Sequence, residues 1–180
     1  MYFWRMKVMV LMRGFSPARG VVPSAGFASR LEEERRLKIE GNYTFKAPRQ
    51  RVWEVLLDPK IMAQCMPGCE GLAEVAPDQF EATMKIGVAS VKGTYKGKVA
   101  IRDKQPPAHY VLSGEGSGTP GFMQGDMAVD LEEKNGQTVL KYSADAKVGG
   151  LIAGVGQRMI GGITKMMVDQ FFKKMEGFLG

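Results

Sequence analysis

The chain has 180 residues, 44% hydrophobic and 24% charged, with a net charge of +6. That length suits one globular domain with a sizeable core, and the composition excludes a disordered or fibrous chain. Residues 1–36 hold seven basic and three acidic groups, so most of the excess charge belongs to that segment and does not indicate nucleic-acid binding.

Residues 1–30 contain no acidic residue, and they show neither strand alternation nor a helical stripe. The apolar run Val8 to Met12 is too short for a membrane-spanning helix or a signal-peptide core. The segment 1–36 reads as an unstructured basic leader or as a start codon placed too early, with a short interfacial anchor as the other reading. A single domain is expected over 37–180.

Lys38 to Lys46 alternates through Ile39, Tyr43 and Phe45 and predicts the first strand. Pro48 is expected to open a helix with Val52, Trp53, Leu56 and Leu57 on its apolar stripe. Asp58-Pro59 reads as a cap followed by a first-turn proline, which predicts a second short helix to about Gln64. Met66-Pro67-Gly68 ends it.

A short strand near Gly71–Val75 precedes five longer ones. Phe80, Ala82, Met84, Ile86 and Val88 share one face, as do Tyr95, Gly97, Val99 and Ile101 on the next strand. Tyr110, Leu112, Gly114 and Gly116 follow, then Gly121, Met123, Gly125, Met127, Val129 and Leu131. Leu140, Tyr142, Ala144, Ala146 and Val148 complete the set. Asn135-Gly136 predicts a two-residue hairpin. Alternation on one face means antiparallel strands with one wet side. From Leu151 to Phe178 the spacing turns helical, with Ile152, Val155, Met159, Ile163, Met166 and Gln170 on one line. Such a helix buries its stripe against the concave face of the sheet.

The inward strand positions carry no Asp, Glu, His, Lys or Arg. General acid–base and nucleophilic catalysis both need a titrating group in the cleft, so a container for an apolar molecule is expected and an enzyme is not. Glycines at 97, 114 and 125 suit either a cavity or a sharp bend of the sheet. His109 is placed on the outward phase as a solvated loop-edge residue. Cys65 and Cys69, with that single histidine, are a poor metal set, and no metal or covalent cofactor is expected. Two thiols without a secretion signal fit a reducing compartment. The Gly149–Gly156 run is poor helix sequence; it reads as a gate or contact surface, or as tight packing of helix on sheet.

Several short runs carry a family resemblance: Lys38-Ile-Glu-Gly, Phe45-Lys-Ala-Pro48, Val52-Trp53, Asp58-Pro59 and Cys65-Met-Pro-Gly-Cys69. They continue in Gly114-Glu-Gly-Ser-Gly118, Gly121-Phe122, Thr138-Val-Leu-Lys-Tyr142 and Gly149-Gly-Leu-Ile-Ala153. In their order and spacing they resemble the CoxG family of carbon monoxide dehydrogenase subunits. That family lies within the START and Bet v 1-like (SRPBCC) helix-grip superfamily. The resemblance implies an α+β helix-grip fold: a curved antiparallel sheet of about seven strands wrapped around a long C-terminal helix, with two short helices after the first strand. It also implies an accessory protein of a molybdenum-type carbon monoxide dehydrogenase or related oxidoreductase, cytoplasmic or peripheral on the inner face of the cytoplasmic membrane. The expected cargo is a quinone or lipid, the expected partners are oxidoreductase subunits and the membrane surface, and no nucleic acid is expected. Ligand-binding residues are expected to be Trp53, Met62, Met66, Met84, Tyr95, Tyr110, Leu112, Phe122, Met123, Met127, Tyr142, Ile152, Val155, Met159 and Ile163. A docking or assembly factor without cargo, or a helix-grip enzyme using Glu70, Glu115 or Asp126 at a rim, are the alternatives.

Overall fold

The computed structural model describes residues 35–88 and 91–180. The expected leader falls almost wholly outside them. Seven strands form one antiparallel sheet in the order β1-β7-β6-β5-β4-β3-β2. They are β1 Arg35–Phe45, β2 Cys69–Ala76, β3 Gln79–Ile86, β4 Gly93–Gln105, β5 His109–Gly118, β6 Gly121–Lys134 and β7 Gln137–Gly150. Helices α1 (Arg49–Leu57) and α2 (Pro59–Cys65) follow β1, and α3 (Leu151–Gly154) and α4 (Gln157–Glu176) follow β7. This is the helix-grip arrangement: a meander from β2 to β7, with β1 returning to pair with β7.

Local chemistry explains most element ends. The Asp58 carboxylate accepts from the N–H groups of Lys60 at 2.8 Å and Ile61 at 3.3 Å, satisfying donors that the helix cannot. Pro48 is the cap of α1 and not its first helical residue; its ψ of 149° is extended, and helix begins at Arg49. Asn135 and Gly136 take φ of 54° and 72° between paired Lys134 and Gln137, the left-handed pair that a twisted two-residue hairpin requires.

Two apolar clusters fill the concave side. One joins α1 and the end of α4 to the sheet through Phe45, Val52, Trp53, Tyr110, Leu131, Leu140, Phe172 and Met175. Trp53 meets Tyr110 edge-on at 5.5 Å, and Phe172 packs among Tyr43, Phe45, Tyr142 and Phe171. The buried Thr138 hydroxyl donates to the Ala47 carbonyl at 2.7 Å and ties β7 to the turn before α1. A second cluster of Leu37, Val91, Val148, Ile152, Ala153 and Ile160 lies under α3 and the start of α4.

The C-terminal segment departs from expectation. It is not one helix from Leu151: α3 ends at Gly154, Val155 and Gly156 are non-helical, and α4 starts at Gln157. That break resets the helical phase. In α4 the buried residues are Ile160, Phe172 and Met175, whereas Met159, Met166 and Gln170 are exposed. Counting straight through from Ile152 therefore places the stripe one residue off. His109 keeps the expected outward phase at a loop edge but has a partner. It begins β5 opposite Asp130 in register, its side chain is 25% exposed, and its Nδ1 lies 2.7 Å from the Asp130 carboxylate.

Candidate functional site

Register builds the site from small residues. Leu72, Ala82, Gly97, Gly116, Met123 and Val148 lie in one row across six strands. The next row holds Phe80, Val99, Gly114, Gly125 and Ala146. Between the two apolar clusters the sheet thus presents mostly hydrogen and methyl groups.

The glycines divide into two kinds. A Cβ at Gly97 would stand 3.2 Å from the Gly116 Cα and closer still to the Glu115 carbonyl, and one at Gly125 would stand 2.6 Å from the Ala146 Cα. Those two allow neighbouring backbones to approach as the sheet coils. Gly114 and Gly116 have nothing nearer than 3.8 Å and leave space open. Both expected roles, bend and cavity, are present at different positions.

A depression of about 800 Å³ is lined by β2, β3, β4, β5 and β6 in three-residue runs centred on Leu72, Ala82, Gly97, Gly116 and Met123. Phe122 and Met123 line it; the other expected ligand residues do not, and no residue of α4 lines it. Trp53, Tyr110, Tyr142 and Ile152 are buried in the two clusters. Met62, Leu112 and Met127 pack against the first cluster, and Tyr95, Val155 and Ile163 against the second. Met66 and Met84 are half-buried, and Phe122, Met123 and Met159 are exposed. Sequence reasoning missed Leu72, Ala82, Lys96, Lys98, Glu115, Ser117 and Gln124, which also line the depression. Ala82, Gly97 and Gly116 gave a signal in their small size on the inward phase; the polar lining depends on sheet curvature.

Burial pushes the Tyr110, Tyr95 and Tyr142 hydroxyls above their ordinary pKa. Tyr43 is raised first by burial and then by the Glu176 carboxylate beside it, and Asp169 adds a smaller push at Tyr43 and Tyr142. Those two carboxylates come from α4, which a reading of the strands alone does not count. Burial raises the Cys65 thiol, with Lys174 opposing, so the thiol form is favoured. Cys65 and Cys69 are both free. No group of three or more His, Cys, Asp or Glu among the described residues could hold a metal ion. Of the rim carboxylates, Glu70 pairs with Lys85 at 3.8 Å, Asp126 with Arg102 at 2.8 Å and with the Ser113 hydroxyl, and Glu115 lines the depression. No described helix is long and apolar enough to cross a membrane.

Comparison with known proteins gives a consistent family and fold. A family profile for the CoxG subunit of carbon monoxide dehydrogenase matches residues 41–180. The chain is similar to a conserved protein of Geobacillus kaustophilus at 38% identity and a TM-score of 0.77, over 79% of this chain and 95% of that one. A START superfamily protein from Mycobacterium smegmatis shares the fold at 13% identity and a TM-score of 0.62, over 79% and 96% of the two chains. So does the Zhui aromatase/cyclase from Streptomyces sp. R1128, at 18% identity and a TM-score of 0.58, over 79% and 93%. No curated protein matches the chain.

Proposed function

The chain belongs to the CoxG family of carbon monoxide dehydrogenase subunits, and from that premise we propose that it is a non-enzymatic accessory protein that holds a hydrophobic molecule, a quinone or lipid, in its sheet cavity. In this reading it serves a molybdenum-type carbon monoxide dehydrogenase or a related oxidoreductase and links that enzyme to the membrane. The observation that carries the reading is the cavity. Its volume of about 800 Å³ falls in the range of small-molecule sites. Its central row replaces bulky side chains with Ala82, Gly97 and Gly116. Leu72, Ala82, Phe122 and Met123 offer the apolar contacts an isoprenoid chain needs, while Lys96, Lys98 and Glu115 in the same lining offer polar contacts to a head group.

The test is native mass spectrometry with organic extraction, on the full chain purified from a quinone-producing host. Wild type is expected to carry a stoichiometric quinone or lipid. Met123→Asp, in the cavity lining and partly exposed, is expected to lose it, with Lys134→Ala as the surface control. An empty protein that refuses added quinone would leave a docking factor without cargo. Cargo recovered chemically altered would instead favour a helix-grip enzyme, for which Glu115 in the cavity lining is the specific support.

A further inference from the structure

The cavity has a direction. Its floor is the single row Leu72, Ala82, Gly97, Gly116 and Met123, which runs across five strands and along none of them. Neighbouring strands stand about 4.8 Å apart, so the floor is about 19 Å long. Rows on one face repeat about every 6.6 Å along a strand, so a floor of one row is narrow.

Both long sides are walled. On one side stand Phe80 and Val99, which are register partners, and Phe80 belongs to the cluster that includes α1. On the other stand Met84 and Tyr95, also partners. The Tyr95 ring reaches over β5, where a Cβ at Gly118 would stand 3.0 Å from it. Its hydroxyl donates to the Val91 carbonyl at 2.7 Å, which holds the ring in place. Ile152 continues that wall over β6, 3.2 Å from the Cβ position of Gly121. Tyr95 and Ile152 both pack in the second cluster, so the two apolar clusters are the two banks of one channel.

The two ends differ. At β6 the row continues into Val148 of β7, which is 1% exposed and packs with Leu37 and Ile152. Packed side chains stop the channel there. At β2 the sheet ends. Leu72 is half-buried at that edge, Gly71 and Ala73 on either side of it are exposed, and a Cβ at Gly71 would meet nothing within 4 Å. Polar groups collect at the same end. Thr83 is opposite Gly71, Glu81 is opposite Ala73, and Glu81 pairs with Lys98 at 3.4 Å.

We infer that the cavity is a channel for one slender apolar chain, polyprenyl or alkyl, lying across the strands with its tip against Met123 and Val148 and its polar head at the β2 edge. The inference rests on the carrier reading and narrows its cargo. An amphiphile with a single chain fits the channel lengthwise, and a lipid with two chains abreast does not. A channel stopped at one end also measures chain length. Carbons beyond about 19 Å emerge at β2 and add no buried contact.

The experiment displaces a fluorescent alkyl probe from the full chain with primary alcohols of increasing length, from octanol to eicosanol. Affinity is expected to rise about fourfold with each methylene buried and to level off once the extended alcohol spans the channel. Met123→Trp, at the stopped end, should bring the levelling to a shorter alcohol and leave octanol binding unchanged. Gly116→Leu should bring it to a shorter alcohol still. Leu72→Trp, at the β2 edge, should weaken every alcohol by at least about tenfold and leave the levelling point where it was. Circular dichroism checks that each variant is folded, and Lys134→Ala should change nothing. A levelling point that stays fixed in folded Met123→Trp and Gly116→Leu, or affinity that rises through eicosanol, would overturn the channel and leave the carrier. Leu72→Trp shortening the preferred chain while Met123→Trp weakens all lengths would overturn the orientation. A wild type that binds neither alcohol nor quinone would remove the carrier reading, and this one with it.

Discussion

The ring of Tyr142 lies across Gly41, its register partner on β1. A Cβ at Gly41 would stand 2.6 Å from the ring Cζ and 3.0 Å from Cε1. Tyr142 also packs on Phe172 of α4, with ring centres 6.0 Å apart, so the ring joins β1, β7 and the helix that grips them.

Gly41→Ala is therefore an overpacking change, although the position is on a strand where alanine is ordinarily acceptable. The ring is buried and cannot simply swing aside. Denaturant unfolding should show a loss of about 1–3 kcal/mol. In the Tyr142→Ala background the same substitution should cost much less, because the atom it strikes is gone. Additive losses would mean that the two residues are not coupled.

The buried hydroxyls predict weakness in base. Tyr110, Tyr142, Tyr95 and the Cys65 thiol all have folded pKa values raised by burial above ordinary values of 10.0 for tyrosine and 9.0 for cysteine. A raised folded pKa means that the native state holds its proton more tightly than the unfolded chain. That stability is complete below the ordinary pKa and is lost as pH rises beyond it. Denaturation midpoints should be flat across neutral pH and fall from about pH 9 upward. Tyr110→Phe, which keeps the edge-on contact with Trp53, should reduce the slope of that fall. An unchanged slope would assign the alkaline loss to other groups.

Gly161 and Gly162 lie inside α4 and have no neighbour near the position of a Cβ. Each weakens the helix relative to alanine and gains no close contact in return. Gly161→Ala and Gly162→Ala should each stabilise the fold by about 0.5–1 kcal/mol, read as a rise in the melting midpoint. If the loose start of α4 serves exchange of cargo, the double variant should also release a fluorescent quinone analogue more slowly. Destabilisation by either substitution would show that the space is not open.

The strands were legible because a sheet with one wet face writes its burial as a period of two, and Phe80 to Val148 keeps that period almost without fault. Asp58-Pro59 and Asn135-Gly136 were legible because each rests on its own backbone chemistry. The phase of α4 was not, since nothing in Val155-Gly156 distinguishes a flexible helical turn from a break. His109 was placed on the outward phase at a loop edge, where it lies, but its partner was not legible, because Asp130 comes from the adjacent strand and only register brings the two together. The cavity was half legible. Small residues on the inward phase pointed to it, but its lining depends on how far the coiled sheet brings neighbouring backbones together, which a list of side chains does not contain.

That difference between backbone approach and open space gives the sharpest test of the site. Gly97 and Gly116 are register partners in the centre of the cavity lining, yet they have opposite surroundings. At Gly97 a Cβ meets rigid backbone, the Gly116 Cα at 3.2 Å and the nearer Glu115 carbonyl. At Gly116 the nearest atoms are 3.8 Å and 3.9 Å away, an ordinary contact distance. Gly97→Ala should therefore destabilise the protein by about 1–3 kcal/mol. Gly116→Leu should fold with a midpoint close to wild type and fill space that cargo would take. Titration with a short-chain quinone should then show affinity reduced at least about tenfold in Gly116→Leu, a loss on the order of 1.4 kcal/mol. A folded Gly116→Leu protein that binds quinone as wild type does would move the cargo out of this cavity. The exposed face of α4 that carries Met159 and Met166, seven residues apart, would then be the next place to test.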